Sequence, residues 1–278
     1  MPELPEVETM RRGILEALGC RVEVARQLPC PKKPLAMNVS WTQIAKRLKG
    51  REITAIDRHG KRIILAFDQK HWLVIEPRMT GLLLVDQPPT LEHLRFEIAL
   101  ENGFFDRIAY WDRRGLGQLF LLNKAGLDQY LSPQRIGPDA LTISPEQLRD
   151  NLKPRKISVK VGLLDQKAIA GVGNIYASEI LHLAGVDPRK KCQRVSKKQW
   201  DLIHEKTLLV LEKAIQMEGS TLSDGTYRNA LNDPGGYQNH HRVYDREGLA
   251  CPTCQVGSIR RIVMAQRATY FCPQCQRR

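Results

Sequence analysis

The chain has 278 residues, of which 42% are hydrophobic and 26% charged, as in a soluble globular protein of one large or two ordinary domains. A formal net charge of +13 favours a polyanionic partner. No apolar run is long enough to cross a bilayer and no secretion signal begins the chain, so we expect a cytoplasmic protein.

The first predicted element is a helix from Glu6 to Leu18. Its apolar residues recur at intervals of three and four, and Gly19 is suited to end it. These apolar residues are Val7, Met10, Ile14 and Leu18.

The residues before this helix predict either a nucleophile or a rigid helix entry. Removal of Met1 would expose the secondary amine of Pro2, and an α-amino group has a pKa of roughly 8, so part of it is neutral near physiological pH. Such an amine can attack a sugar C1′ and form an iminium ion, with Glu3 and Glu6 moving protons. In the alternative, Pro2 and Pro5 stiffen the entry, and the two glutamates favour the helix dipole.

From about Glu52 to Leu122 the pattern changes to short strands separated by polar turns. Asn102-Gly103, between two such strands, predicts a hairpin. Strands with little helix between them predict an antiparallel β-sandwich, which we assign to residues 1–132. The predicted strands include Arg62–Phe67, Leu73–Glu76, Leu82–Val85 and Arg95–Leu100.

Helical patterns dominate after a turn-rich stretch at residues 133–138, and we assign residues 133–242 to a helical domain. One face of a long helix is formed by Trp200, Ile203, Thr207, Val210, Ala214 and Met217. The segment from Gly219 to His241 is polar and too long for an ordinary connection, so it is expected to be functional or mobile.

A glycine-rich turn within the helical domain predicts a phosphate site. Gly171 and Gly173 permit a tight turn, and Asn174 is suited to cap the helix that follows, whose first N–H groups can bind an anion. On its own such a turn is weak evidence, but Lys160 and Lys167 precede it and a basic run follows. Two basic blocks flank it: Lys153, Arg155, Lys156 and Lys160, and then Arg189, Lys190, Lys191, Arg194, Lys197 and Lys198.

Four cysteines near the end predict a metal site. Cys251 and Cys254 form one C-x2-C pair, and Cys272 and Cys275 form a second pair seventeen residues later. Two such pairs complete a tetrahedral shell around one zinc ion and leave no open position, so the zinc is expected to be structural rather than catalytic. A redox role is the weaker alternative.

The metal site would belong to a zinc finger over residues 243–278. Strands Ile259–Val263 and Ala268–Phe271 are predicted to form its β-hairpin, with Gln266 and Arg267 at the tip. The remaining cysteines are expected to be plain thiols: Cys20, Cys30 and Cys192.

Three segments of the chain closely resemble formamidopyrimidine-DNA glycosylases. They are Pro-Glu-Leu-Pro-Glu-Val-Glu-Thr at the start, Gly-Val-Gly-Asn-Ile-Tyr-Ala-Ser-Glu in the middle and Ala-Gln-Arg-Ala-Thr-Tyr-Phe-Cys near the end. The resemblance implies an α+β fold: an N-terminal antiparallel β-sandwich with flanking helices, then a helix–two-turns–helix domain with a zinc-finger β-hairpin. It also implies a bifunctional glycosylase and AP lyase that excises oxidised purines from duplex DNA.

By matching position, the resemblance implies a role for individual residues. Pro2 would be the Schiff-base nucleophile and Glu3 the general acid. Lys61 would promote β-elimination, and Arg267 would grip phosphates beside the lesion and assist δ-elimination. The implied DNA-binding residues are His93, Arg114, Asn174, Arg155, Lys156, Met79 and Glu6.

Two segments depart from the family pattern. Glu76-Pro77-Arg78 replaces a more usual His-Leu-Gly before Met79. The usual Asp-Pro-Arg-Arg-Phe-Gly is replaced by residues 112–117, in which Leu116 stands where an aromatic residue is expected. The resemblance favours Arg114 for the arginine role, with Arg113 as the alternative. These changes affect the expected lesion and opposite-base preference rather than the chemistry.

The partner implied is duplex DNA with oxidised purines or abasic sites, bound by a monomer in the cytoplasm, associated with the nucleoid. The damaged base would enter a pocket covered by Gly219–His241, where Ser223, Thr226 and Tyr227 could contact its edge. Two alternatives remain: a DNA-binding module without activity, and a relative of endonuclease VIII that prefers oxidised pyrimidines.

Overall fold

The structure is a computed structural model that describes residues 1–101 and 103–277. The chain forms two compact units, Met1–Leu131 with Met217–Gly236, and Ser132–Gln216 with Tyr237–Arg278. Among the described residues, no helix is long and apolar enough to cross a membrane.

The described helices and strands are distributed over both units. The helices are α1 (Leu4–Gly13), α2 (Trp41–Leu48), α3 (Lys124–Tyr130), α4 (Pro145–Leu152), α5 (Val159–Leu164), α6 (Asn174–Leu183) and α7 (Lys197–Gln216). The strands are β1 (Arg21–Gln27), β2 (Ala36–Met37), β3 (Ile53–His59), β4 (Arg62–Phe67), β5 (His71–Glu76), β6 (Gly81–Leu84), β7 (Leu94–Glu101), β8 (Arg107–Asp112), β9 (Gln118–Leu122), β10 (Arg260–Met264) and β11 (Arg267–Phe271).

Two sheets form the N-terminal unit. One has the order β1-β7-β8-β6 and the other the order β2-β9-β5-β4-β3. All neighbouring strands are antiparallel except β2 and β9, which are parallel. Inward residues of both sheets and of α1 share one apolar core, so the predicted β-sandwich is confirmed. In the predicted hairpin, β7 and β8 pair as expected, while Asn102 of its turn lies outside the described residues.

The first helix is shorter than predicted and begins earlier. It starts at Leu4, because Pro5 suits the first turn and Glu3 and Glu6 form a capping box, and it ends at Gly13. A 3-10 turn at Leu15–Ala17 follows, and Leu18 is 54% exposed rather than part of the buried face.

The C-terminal unit contains α4 to α7 and the hairpin β10–β11. Helix α7 buries the predicted face from Trp200 to Ala214, while Met217 lies just beyond its end. The segment Met217–Gly236, which the sequence assigns to the helical domain, instead groups with the N-terminal unit, since Tyr227 packs into the sandwich core.

Candidate active site and metal centre

The start of α1 is buried and carries two carboxylates. Pro2 is buried, and Glu3 and Glu6 are 2% and 1% exposed. Glu6 Oε2 accepts a hydrogen bond from Glu3 N at 2.8 Å, and Oε1 accepts one from Ser220 N at 2.8 Å. The Glu6 carboxylate therefore links the backbone of Glu3 to the backbone of the segment 217–236.

Glycine is required next to this contact. Gly219 has φ +80, and a Cβ atom there would lie 2.8 Å from Glu6 Oε1. Both the backbone conformation and the close approach exclude a side chain.

The segment expected to cover the base pocket is packed rather than loose. Tyr227 is 4% exposed, and its hydroxyl donates to the carbonyl of Glu218 at 2.9 Å. Thr226 is also buried, whereas Ser223 is exposed. Tyr227 is therefore a core residue, and its expected contact with a base edge stays a prediction.

Lys61 lies in a two-residue turn between β3 and β4, called the Lys61 turn here (Gly60 and Lys61). Gly60 has φ +57, which a hairpin turn of this length needs and which glycine adopts without strain. Its carbonyl accepts a hydrogen bond from Arg58 Nη1 at 2.9 Å. Lys61 itself is half-buried, and the turn that contains it is fixed by the hydrogen bond to the carbonyl of Gly60.

Met79 lies in the connection between β5 and β6, called the Met79 loop here (residues 77–80). Thr80 Oγ1 donates to Asp112 Oδ1 at 2.5 Å. Asp112 is fully buried, and it also accepts from Arg114 N at 3.2 Å and from Gly117 N at 2.8 Å. One carboxylate thus connects the Met79 loop to the segment that carries Arg114.

Sequence reasoning named Met79 and Arg114 but gave no role to Thr80 or Asp112. Nothing in their spacing indicates that they touch, because the hydrogen bond joins residues 32 positions apart. The same two segments meet at a second point. A Cβ atom at Gly81 or Gly117 would lie 2.2 or 2.0 Å from the buried Tyr110 hydroxyl.

The two arginines that are candidates for one role make different contacts, and the side chains of both are exposed. Arg113 Nη2 donates to Thr226 Oγ1 at 3.0 Å. Arg114 is held through its backbone N, which donates to Thr80 Oγ1 at 3.0 Å, and its side chain is exposed. Leu116, in the place of the expected aromatic residue, is half-buried.

His93 is held against the sheet by an aromatic contact. Its side chain is 12% exposed, and its ring packs edge-on against Trp111 with centroids 5.4 Å apart. Trp111 Nε1 in turn donates to the carbonyl of Thr90 at 2.9 Å.

The glycine-rich turn of the C-terminal unit differs from prediction at its cap. Gly173 is the N-cap of α6, and Asn174 is its first helical residue. Asn174 Nδ2 donates to the carbonyl of Ala268 at 3.0 Å, while its Oδ1 accepts from Lys160 Nζ at 2.8 Å. Asn174 therefore joins α6 to the β10–β11 hairpin.

Lys160 is not part of a solvated basic block. It is 1% exposed, and Nζ also donates to Thr269 Oγ1 at 2.7 Å. The expectation that Lys160 contributes to a phosphate site is therefore wrong. Its ammonium group is buried and bonded to acceptors inside the protein, which a buried charge needs.

The other two basic residues implied to bind DNA are Arg155 and Lys156, and they differ in their contacts. Arg155 Nε donates to the carbonyl of Asn151 at 2.9 Å, and its guanidinium forms an ion pair with Asp165. Burial raises the pKa of Asp165, but the hydrogen bonds from Arg155 and from Lys167 N, together with the charges of these two residues, outweigh burial and leave the pKa below its usual value. Lys156 is exposed.

The four predicted cysteines form one cluster. Their sulfur atoms all lie within 4.8 Å of one another, and the Cys251–Cys275 and Cys254–Cys272 distances are both 3.7 Å. A zinc tetrahedron with Zn–S bonds of about 2.3 Å has sulfur–sulfur edges of about 3.8 Å, so the cluster fits zinc. Hydrogen bonds from Gly257 N and Val256 N lower the pKa of Cys254, whereas burial raises the pKa of Cys272 and of Cys275.

The predicted hairpin between the two cysteine pairs forms, but its two-residue turn is Ala265 and Gln266 rather than Gln266 and Arg267, because Arg267 pairs with Met264. Ala265 and Gln266 have positive φ, 46° and 60°, as a type I′ turn requires. Arg267 opens β11 and is exposed.

A buried carboxylate in the C-terminal unit was missed by sequence reasoning. Glu179, on α6, is fully buried and accepts hydrogen bonds from the backbone N atoms of Arg242, Val243 and Tyr244 at 2.8, 3.0 and 2.8 Å. Burial raises its pKa, and these hydrogen bonds only partly offset the effect. The signal that could have identified Glu179 was its position at the end of the segment Gly171–Glu179, which resembles the family.

Three protein-family models match the chain in order. Residues 1–119 match the formamidopyrimidine-DNA glycosylase N-terminal domain, and residues 136–226 match the formamidopyrimidine-DNA glycosylase H2TH domain. Residues 257–278 match the zinc finger found in FPG and IleRS.

Similar proteins cover the whole chain. A formamidopyrimidine-DNA glycosylase of Chloroflexus aurantiacus is 40% identical over 99% of this chain and 98% of its own. The crystal structure of the MutM (Fpg) protein from Thermus thermophilus is 34% identical, covers 99% of this chain and 98% of its own, and has a TM-score of 0.85. A complex between Lactococcus lactis Fpg and DNA containing an abasic site is 29% identical, covers 100% of both chains and has a TM-score of 0.87.

Proposed function

This chain belongs to the formamidopyrimidine-DNA glycosylase family, and from that membership we propose how its own residues carry out the reaction. The protein is a DNA glycosylase that excises oxidised purines in base excision repair, and AP lyase activity is typical of the family. The observation that carries this conclusion is the match of three family domains, in order, along nearly the whole chain. The four clustered cysteines bind one structural zinc ion.

In our proposal Pro2 supplies the nucleophile. With Met1 removed, the lone pair of the Pro2 nitrogen attacks C1′ of the damaged nucleotide, and the bond from C1′ to the base breaks. Glu3 gives its proton to the departing base as general acid. The amine proton of Pro2 then passes to the Glu3 carboxylate and from there to O4′ as the C1′–O4′ bond breaks. The product is an iminium ion between Pro2 and the ring-opened sugar. The support is local: Glu3 follows Pro2 directly and is 2% exposed, and its side chain accepts a hydrogen bond from Glu6 N in the capping box, which holds it at the start of α1.

Strand cleavage follows from the iminium ion. It makes the C2′ proton acidic, and loss of that proton with rupture of the C3′–O bond expels the 3′ phosphate. We assign promotion of this β-elimination to Lys61, which the Lys61 turn holds half-buried. Arg267, exposed at the start of β11, would bind phosphates and assist the following δ-elimination.

The remaining candidates would hold the bent duplex. Met79 and Arg114 would fill the space that the extruded nucleotide leaves and so offset part of the unstacking cost. Asn174 and Lys156 would bind phosphates, which fixes position without reading sequence. Further proposed DNA contacts are His93, Arg155 and Glu6, although the side chains of Arg155 and Glu6 already have protein partners.

The division along the chain into residues 1–132, 133–242 and 243–278 stays a proposal, with the exception that residues 217–236 pack with the first of these. A cytoplasmic location associated with the nucleoid is proposed as well. The +13 charge supports the latter, because a basic protein is attracted to bulk DNA.

Reduction during turnover tests the proposal. Borohydride reduces an iminium ion, so it should join the protein covalently to an 8-oxoguanine duplex, with the adduct on the N-terminal residue. An uncleavable N-terminal extension turns the nitrogen of Pro2 into an amide and should abolish excision and trapping while DNA binding remains. Normal excision by the extended protein would exclude Pro2. Efficient trapping on thymine glycol with little on 8-oxoguanine would instead indicate a preference for pyrimidines.

A further inference from the structure

One buried carboxylate lies between the Lys61 turn and the Met79 loop. Glu76 ends β5 and is 4% exposed. Its Oε1 accepts a hydrogen bond from Arg62 Nε at 3.0 Å, and its Oε2 lies 2.8 Å from Arg78 Nε. In the sequence, Arg62 follows the Lys61 turn directly, and Arg78 lies inside the Met79 loop.

Other groups complete the surroundings of this carboxylate. The Tyr130 hydroxyl donates to Glu76 Oε1, and burial raises the pKa of Tyr130, so this donor keeps its proton. Arg78 Nη2 also donates to Gln118 Oε1 at 2.8 Å. Because two guanidiniums and a hydroxyl face it, Glu76 is compensated in a place where a lone carboxylate would be costly.

The backbone of Arg78 indicates that its guanidinium matters. Its φ of +56 lies in the left-handed region, where a residue other than glycine is strained. Glycine would satisfy this backbone but could not bind Glu76. The departures from the family pattern at Glu76 and Arg78 are therefore one feature, an ion pair.

We propose that Glu76 is a positioning residue that couples the Lys61 turn to the Met79 loop through Arg62 and Arg78. A change in the loop then alters the step that depends on Lys61. This inference rests on the roles proposed above for Lys61 and Met79.

Strand cleavage at an abasic site in a single-stranded oligonucleotide isolates the Lys61 step, since a single strand has no duplex stack with a space for Met79 to fill. Rates are expressed per enzyme molecule that borohydride can trap. Arg78→Gly removes the guanidinium and the backbone strain together, so its melting temperature should be unchanged or higher. Its cleavage should nonetheless be slower by about threefold to thirtyfold, the range for coupled contacts. Glu76→Gln should be slowed similarly, and the double variant should be no slower than the slower single variant.

Arg26→Ala removes a comparable ion pair, with Glu97 on the other sheet, and should cleave within about twofold of the unmodified protein. Lys61→Ala tests the premise: normal cleavage by it would overturn the role proposed above for Lys61, and with it the coupling. If Lys61→Ala is defective while Arg78→Gly cleaves normally, the coupling is wrong and the proposed function stands. Slowing of Arg78→Gly and Glu76→Gln that multiplies in the double variant would also overturn the coupling, because independent effects add in free energy.

Discussion

Arg58 donates a hydrogen bond from Nε to Glu8 Oε2 at 3.1 Å, and both side chains are only 8% exposed. Glu8 lies on α1, the helix that follows Pro2, whereas Arg58 lies on β3 next to the Lys61 turn. This ion pair therefore joins the helix that follows the proposed nucleophile to the strand that precedes the proposed β-elimination lysine.

The ionisation of Glu8 should make stability depend on acid pH. Burial raises its pKa, but hydrogen bonds from Arg11 and Arg12 and the charges of Arg11 and Arg58 outweigh burial and lower the pKa to about 2. The unfolded chain therefore takes up the proton first. The stabilisation is full above a pH of about 4.5 and is lost as the pH falls towards about 2, with a total of about 3 kcal/mol.

Glu8→Gln should remove this contribution. We expect the free energy of unfolding near pH 7 to fall by about 3 kcal/mol, since breaking a buried pair leaves its arginines uncompensated. Urea titrations between pH 2 and 7 would measure it. Glu52→Gln is the matched control, because its pair with Arg21 is 3.9 Å long and exposed. An unchanged acid profile in Glu8→Gln would contradict the assignment.

Loss of one zinc ligand should release the metal. Cys254→Ser is expected to lose stoichiometric zinc and to unfold the β10–β11 hairpin, since structural zinc contributes about 10–16 kcal/mol of binding energy in finger peptides. Metal analysis and DNA affinity would show both effects. Cys30→Ser, in the N-terminal unit, should keep its zinc. Full zinc content in Cys254→Ser would refute the four-cysteine site.

Arg267→Ala should weaken binding to all duplexes alike. If Arg267 neutralises one phosphate, the slope of log affinity against log salt becomes shallower by about 0.9. Titrations of undamaged DNA at several salt concentrations would measure this slope. Arg21→Ala, which removes an equal charge from an exposed pair, should retain the slope. Equal slopes for Arg267→Ala and the unmodified protein would count against a phosphate contact.

The two neighbouring arginines should differ in their effect on excision. Arg114→Ala is expected to slow single-turnover excision of 8-oxoguanine by about tenfold or more, because the extruded base leaves a space worth a few kcal/mol of lost stacking. Arg113→Ala should slow it less, since Arg113 already binds Thr226. A larger defect in Arg113→Ala would reverse the assignment.

Local patterns predicted much of this molecule. The cysteine pairs, the zinc hairpin and the buried face of α7 follow from spacing within short windows, and the structure confirms them. The predicted end of the first helix was wrong. Leu18 continues the apolar period in the sequence, but the helix ends at Gly13.

Contacts between distant residues could not be predicted. Lys160 looked like a surface charge, and only its hydrogen bond to Thr269, 109 positions away, shows that it is internal. Tyr130 and Glu76 are likewise 54 positions apart. A sequence pattern contains the residue types for such contacts but not which of them meet, since the fold decides that.

The position of Tyr227 in the sandwich core has a consequence for the order in which the protein is made. The chain leaves the N-terminal unit after Leu131 and returns to it only at Met217. During synthesis the residues of both sheets leave the ribosome long before Tyr227 is added. Until then the first unit lacks one side chain of its core. A fragment that ends at Leu131 should therefore be less stable than the same unit in the finished chain, because the site of Tyr227 would be an unfilled cavity.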